Sequence, residues 1–126
     1  MLESTYGDRL HPDPAVTRDE LAAVLQRTLD RGGRVLVPAF AVGRAQELVA
    51  TIHALMEEGR VSAVPMFVDS PLAGKATAVF KSHPECYDAE TRRSVVEDGG
   101  APFGFSRLRY THTAEESRAL APSLVV

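Results

Sequence analysis

The sequence predicts an α/β fold: a three-layer sandwich with a mostly parallel sheet. Three observations point there. Short apolar, β-branched runs at Arg34–Pro38, Val64–Val68, Arg107–Tyr110 and Ser123–Val126 alternate with stretches that carry apolar residues at helical spacing. Glycine or proline punctuates most of the junctions between them. With 126 residues, 44% hydrophobic and 25% charged, the chain can bury one core without a disulfide or structural metal. Alternation of this kind implies right-handed crossovers and a sheet covered on both faces.

Residues 8–16 hold Pro12 and Pro14 among charged side chains, which predicts an extended loop. Thr17-Arg18-Asp19-Glu20 then matches a capping box, in which Thr17 accepts from the Glu20 N–H and Glu20 reaches back. Leu21, Val24, Leu25 and Leu29 follow at helical spacing, and Gly32-Gly33 tolerates the positive φ that ends a helix. Arg34–Pro38 reads as a buried strand whose proline marks the end of the ladder. A second helix, Gly43 to Glu58, carries the stripe Ala45, Leu48, Val49, Ile52, Leu55 and Met56 until Gly59 stops it. Val64–Val68 is the next strand. Gly74 to Ser82 and Asp88 to Asp98 are predicted helices, parted by a turn at Pro84. Gly99–Pro102 is a loop and Arg107–Tyr110 a strand. Thr113-Ala114-Glu115-Glu116 is a second capping box, opening a helix to Leu120, and Ser123–Val126 begins the last strand.

Fourteen Lys and Arg against seventeen Asp and Glu leave a net charge of −3, so no global basic field singles out nucleic acid. Cys86 is the only cysteine, which excludes an internal disulfide and a thiolate zinc cluster and suits a reducing, cytoplasmic setting. A small half-buried side chain accounts for it. No apolar run approaches the ~18 residues of a membrane span, and Met1–Tyr6 is not a basic-then-apolar leader, so no membrane partner is expected. Met1-Leu2 enters a polar segment without preamble and Leu124-Val125-Val126 stops inside an apolar run, so the sequence is expected to be a piece of something longer.

In parallel sheets the chemistry gathers at the carboxyl ends of strands. That singles out Ala39–Arg44 and Asp69–Ala73. Val42-Gly43-Arg44 opens a helix whose first N–H groups attract an anion, and Arg44 can fork a phosphate. Gly43 stands outside any G-x-G-x-x-G or Walker pattern, however, so plain helix-start geometry explains it equally. His11, His53, His83 and His112 lack the spacing of a metal cage and read as surface or hydrogen-bonded histidines. Glu3, leading into Ser4-Thr5-Tyr6-Gly7-Asp8, can orient a histidine acid or pair with a cation; a cap or solvated turn fits it as well.

Three segments in register carry a resemblance: Glu3-Ser4-Thr5-Tyr6-Gly7-Asp8-Arg9, then Gly33–Leu48 with Pro38-Ala39-Phe40-Ala41-Val42-Gly43-Arg44-Ala45-Gln46-Glu47 at its centre, then Val68-Asp69-Ser70-Pro71-Leu72-Ala73. Weaker similarity continues through Ser82–Asp88 and His112–Ser117. Together they resemble the β-CASP branch of the metallo-β-lactamase superfamily, RNA-processing nucleases related to the cleavage and polyadenylation endonuclease. The resemblance implies that residues 1–7 end a metallo-β-lactamase-domain strand carrying the motif A acid, and that residues 8–126 are a β-CASP domain truncated at its C-terminus. Glu3 matches the motif A acid, which orients the motif B histidine that protonates the leaving oxygen. Motifs B and C would fall beyond Val126.

The two zinc ions of the family are held by an H-x-H-x-D-H motif and further ligands of the metallo-β-lactamase domain, none of which is in this sequence. The expected cofactor is therefore zinc held outside this chain, with no metal ligand inside it. The expected role is the substrate-binding wall of a zinc-dependent ribonuclease, not catalytic alone, with single-stranded RNA and the metallo-β-lactamase domain of the same protein as partners. Glu3 is the catalytic candidate; Arg44, Gly43 and Ser70 are the phosphate-binding candidates. A non-catalytic RNA-binding or scaffolding subunit is the alternative, and a DNA-directed repair nuclease of the same family a more distant one. Apolar edges on a truncated sheet promote association, which makes a homodimer an expected assembly.

Overall fold

The computed structural model describes residues 6–10, 12–89, 92–93, 103–118 and 124–126. Helix α1, Pro14–Asp30, starts a turn earlier than the Thr17 capping box predicts. Asp13 is its N-cap, accepting from the Ala15 N–H at 2.8 Å. Pro14 fits the first helical position because its φ is preset and its missing donor would be unpaired there anyway. Thr17 lies inside the first turn, its hydroxyl donating back to the Asp13 carbonyl at 3.1 Å. Pro14, within the stretch predicted to be an extended loop, thus launches the helix. At the other end, Gly32 takes φ 70° and the Gly33 N–H donates to Thr28 O at 2.9 Å, closing the helix with a six-to-one hydrogen bond.

Strand β1 (Val35–Leu36) leads into α2 (Arg44–Glu57), which ends with the same device at Gly59, φ 70°. Strand β2 (Met66–Val68) is followed by α3 (Pro71–Ser82) and a 3₁₀ turn at Pro84–Cys86. Helix α3 begins at Pro71 rather than Gly74, again because a proline occupies the first helical position behind a capping side chain, Ser70. Strand β3 (Leu108–Tyr110), helix α4 (Ala114–Arg118) and strand β4 (Leu124–Val125) complete the order. Most of the expected 88–98 helix, the Gly99–Pro102 loop, Leu120 and Ser123 lie outside the described residues.

All strand pairs are parallel, in the order β1-β4-β2-β3. The α/β fold class is as the sequence predicts. Helix α2 packs between α1 and α3, and the core they share with the sheet buries Leu25, Val49, Ile52, Leu55, Met66 and Val68. Arg18–Glu58 at 2.6 Å and Arg60–Asp19 at 2.7 Å clip α1 to the end of α2. The chain steps one way along the sheet from β1 to β3 and returns to β4, so the right-handed crossover rule assigns α4 to the opposite face.

Two burial expectations for the core fail as well. Val24 is exposed, not part of the α1 core stripe, because Ala22 with Leu25 takes the buried line. Arg34–Pro38 is not a buried strand: β1 is the sheet's edge, and Leu36 is 67% exposed.

Candidate nucleic-acid interface

The carboxyl ends of the parallel strands meet at one edge of the sheet. Val37 donates its N–H to Val125 O at 2.8 Å, Asp69 to Val126 O at 2.9 Å, and Thr111 to Val68 O at 3.1 Å, so the chain leaving each strand is still held by its neighbour. After β1, alternation persists: Val35, Val37, Ala39 and Ala41 are half-buried, while Leu36, Pro38, Phe40 and Val42 are exposed. The chain then turns at Gly43, whose φ of 84° suits glycine.

Gln46 fixes that turn. Its side chain is buried, and its Oε1 accepts from the Gly43 N–H at 2.8 Å. Its Nε2 donates to Thr77 Oγ1 at 2.9 Å and Ala41 O at 3.1 Å, with Ala73 O a longer acceptor at 3.4 Å. One amide therefore ties the loop after β1 to the first turn of α2 and to the body of α3. Thr77, also buried, passes its own proton to Ala73 O at 2.8 Å. Gln46 is not among the residues of the apolar stripe that the sequence marks on α2; it is buried where α3 packs on α2.

Arg44, at the start of α2, is exposed and its Nη1 donates to Glu47 Oε2 at 2.7 Å on its own helix. A guanidinium has five N–H donors, so this pair leaves capacity toward a ligand. Ser70 caps α3, its Oγ accepting from the Ala73 N–H at 3.2 Å. Gln46 reaches Ala73 O, so Gly43 and the first turn of α3 face each other across the same amide.

Beside Ser70, the Asp69 carboxylate accepts from the hydroxyls of Thr111, just past β3, and Ser117, in α4. These two bonds, Ser117 first, hold the Asp69 carboxyl below the ordinary aspartate range against the opposing effect of burial. Asp69 thus pins β3 and α4 to the end of β2. The second capping box is partly realised: Thr113 Oγ1 accepts from the Glu116 N–H at 3.2 Å, but Glu116 reaches the His112 N–H at 2.6 Å instead of its partner's.

Glu3 and His11 lie outside the described residues. His53 stacks on Phe105 at 4.0 Å between centroids and His83 pairs with Glu85 at 2.7 Å. Among the described residues no group of three or more His, Cys, Asp or Glu side chains could hold a metal ion, and no helix is long and apolar enough to cross a membrane. The half-buried reading of Cys86 fails: it is exposed, at the end of the surface 3₁₀ turn.

The family model of the Beta-Casp domain matches residues 45–125. The chain belongs to the β-CASP family. This β-CASP chain is 35% identical over 122 residues to transcription termination factor FttA of Lokiarchaeum sp., covering 94% of the chain and 19% of that protein. It is 35% identical over 121 residues to ribonuclease TTHA0252 of Thermus thermophilus, covering 95% of the chain and 27% of that relative. Against endoribonuclease YSH1 of Saccharomyces cerevisiae it is 32% identical over 133 residues, 100% of the chain and 17% of the relative. The β-CASP chain thus spans only a minor part of the length of these relatives.

Proposed function

We propose that this β-CASP chain is the substrate-binding wall of a metal-dependent ribonuclease that hydrolyses RNA phosphodiester bonds. The observation that carries the reading is the Gln46 brace, which fixes an exposed cation, Arg44, at a helix start on the carboxyl edge of a parallel sheet. Arg44 forks a phosphate of single-stranded RNA and Ser70 offers its hydroxyl from the neighbouring α3 start, while Gly43, whose own N–H is taken by Gln46 and whose neighbour Ala45 donates to Phe40 O, contributes the turn that places Arg44. The names of two relatives, a ribonuclease and an endoribonuclease, support the substrate class.

Two zinc ions in the whole enzyme would generate the attacking hydroxide and clamp the scissile phosphate. The described side chains do not fit a metal cage; the ligands are those that the family resemblance implies, in a metallo-β-lactamase domain of the full-length protein. This chain's share is binding and orientation, and alone it does not cut. Glu3 is the motif A acid that orients the leaving-group histidine. The setting is cytoplasmic, and a homodimer through the sheet edge is the proposed assembly.

The test is hydrolysis of a labelled single-stranded RNA by the full-length protein, with and without a metal chelator. Chelator-sensitive cleavage supports the reading. Tight RNA binding without cleavage, together with a flanking sequence in which H-x-H-x-D-H has been substituted, supports the second reading, a non-catalytic RNA-binding scaffold.

A further inference from the structure

We propose that Phe40 is a base-stacking residue: its ring receives one nucleobase of a single-stranded RNA whose backbone runs over Arg44. This rests on the RNA-binding reading above and names the side chain that makes the wall select single strands.

Phe40 is 85% exposed, the most exposed aromatic among the described residues. Leaving a phenyl ring in water forgoes a large hydrophobic gain, and here the ring has no route inward. The strand alternation that continues past β1 turns Ala39 and Ala41 to the core and Phe40 outward. The backbone is held on both sides of it. Phe40 O accepts from the Ala45 N–H at 3.1 Å, and Ala41 O accepts from the buried Gln46 amide at 3.1 Å. The ring is therefore presented outward by a braced loop, so little backbone ordering remains to be lost when something docks on it.

The occupant follows from what the same strand-to-helix junction carries. Arg44 lies four positions on, exposed, as the first residue of α2, at a helix start that favours an anion. An exposed aromatic ring four residues before an exposed guanidinium suits a nucleotide, which has a flat apolar base and an anionic backbone within one residue length. A flat ring takes any base, so the contact tolerates sequence. It takes only an unstacked base, so a duplex is refused. Val42, 59% exposed on the same side of the loop, widens the apolar surface.

The experiment measures affinity of the full-length protein for a single-stranded RNA oligonucleotide at two salt concentrations, for wild type, Phe40→Ala and Phe40→Trp. The RNA is also used with one abasic site moved along it. Phe40→Ala is expected to weaken binding roughly 5- to 100-fold with an unchanged salt slope, and Phe40→Trp to keep wild-type affinity. At one abasic position the wild type loses the same factor and Phe40→Ala loses nothing more. Wild type that binds RNA while Phe40→Ala binds equally well overturns the stacking role alone. So does a lowered melting temperature in both variants with affinity unchanged, which assigns the ring to packing against another part of the protein. Wild type that binds no RNA overturns the binding-wall reading and this proposal with it.

Discussion

The buried amide of Gln46 in α2 donates to the buried hydroxyl of Thr77 in α3 at 2.9 Å, and through its carbonyl oxygen also holds the Gly43 turn at 2.8 Å. Two helices and the loop between strand and helix are thereby set by one side chain. A surface loop fixed in this way behaves as part of the scaffold, which is what a phosphate or a base needs from a binding site.

Gln46→Leu keeps the volume and removes the bonds. It orphans the Gly43 N–H and a proton acceptor at Ala41, so the unfolding free energy is expected to fall by about 1–3 kcal/mol in a urea titration. A variant as stable as wild type would show that the loop is held by packing alone.

Two glycine substitutions are expected to move stability in opposite directions. At Gly33 an added Cβ would sit 2.8 Å from the Thr28 carbonyl oxygen, a backbone atom that cannot step aside, so Gly33→Ala should cost about 1–3 kcal/mol. At Gly74, inside α3, the nearest atom is the Tyr110 ring at 3.6 Å, an ordinary van der Waals distance. Gly74→Ala should then gain up to about 1 kcal/mol from helix propensity. Melting temperatures of the two variants check both signs.

Asp69 gives a pH dependence. Its carboxyl is held below the ordinary value of 3.8 by the Ser117 and Thr111 hydroxyls, so the folded state binds the proton less readily than the unfolded one. The stabilisation is therefore complete above the ordinary carboxylate value and is lost as pH falls through the lowered one. Asp69→Asn should flatten the acid limb of the stability curve below about pH 4 and leave the slope near neutrality unchanged. An acid limb identical to wild type would show that the two hydroxyl bonds do not favour the ionised form.

Much of the fold is legible in the sequence because its boundaries are written locally. Gly32-Gly33 and Gly59 mark helix ends by backbone chemistry that needs no tertiary partner, and the strand–helix alternation implies the parallel sheet. The start of α1 is misplaced by a turn from sequence because proline suits both an extended loop and the first position of a helix. Thr17…Glu20 has the capping-box spacing, but Asp13, inside the stretch whose prolines predict an extended loop, is the N-cap, and Thr17 donates back from within the first turn. The ion pair of Arg44 with Glu47 follows from spacing alone.

The site's bracing is not legible in that way. A glutamine in a helix is ordinarily solvated, and Gln46 is buried only because α3 packs on α2. The hydroxyl partners of Asp69 lie 42 and 48 positions away, beyond any periodicity. The outward turn of Phe40 is hidden inside an unbroken apolar run, Ala39-Phe40-Ala41-Val42, where composition does not say which side chain faces water.

The most direct measurement is the salt dependence of single-stranded RNA binding by the full-length protein, wild type against Arg44→Ala. If this edge carries the RNA backbone, the variant binds more weakly and the slope of log affinity against log salt becomes shallower by about 0.7, the value for one phosphate fewer neutralised on a single strand. Affinity and slope both equal to wild type would contradict the account.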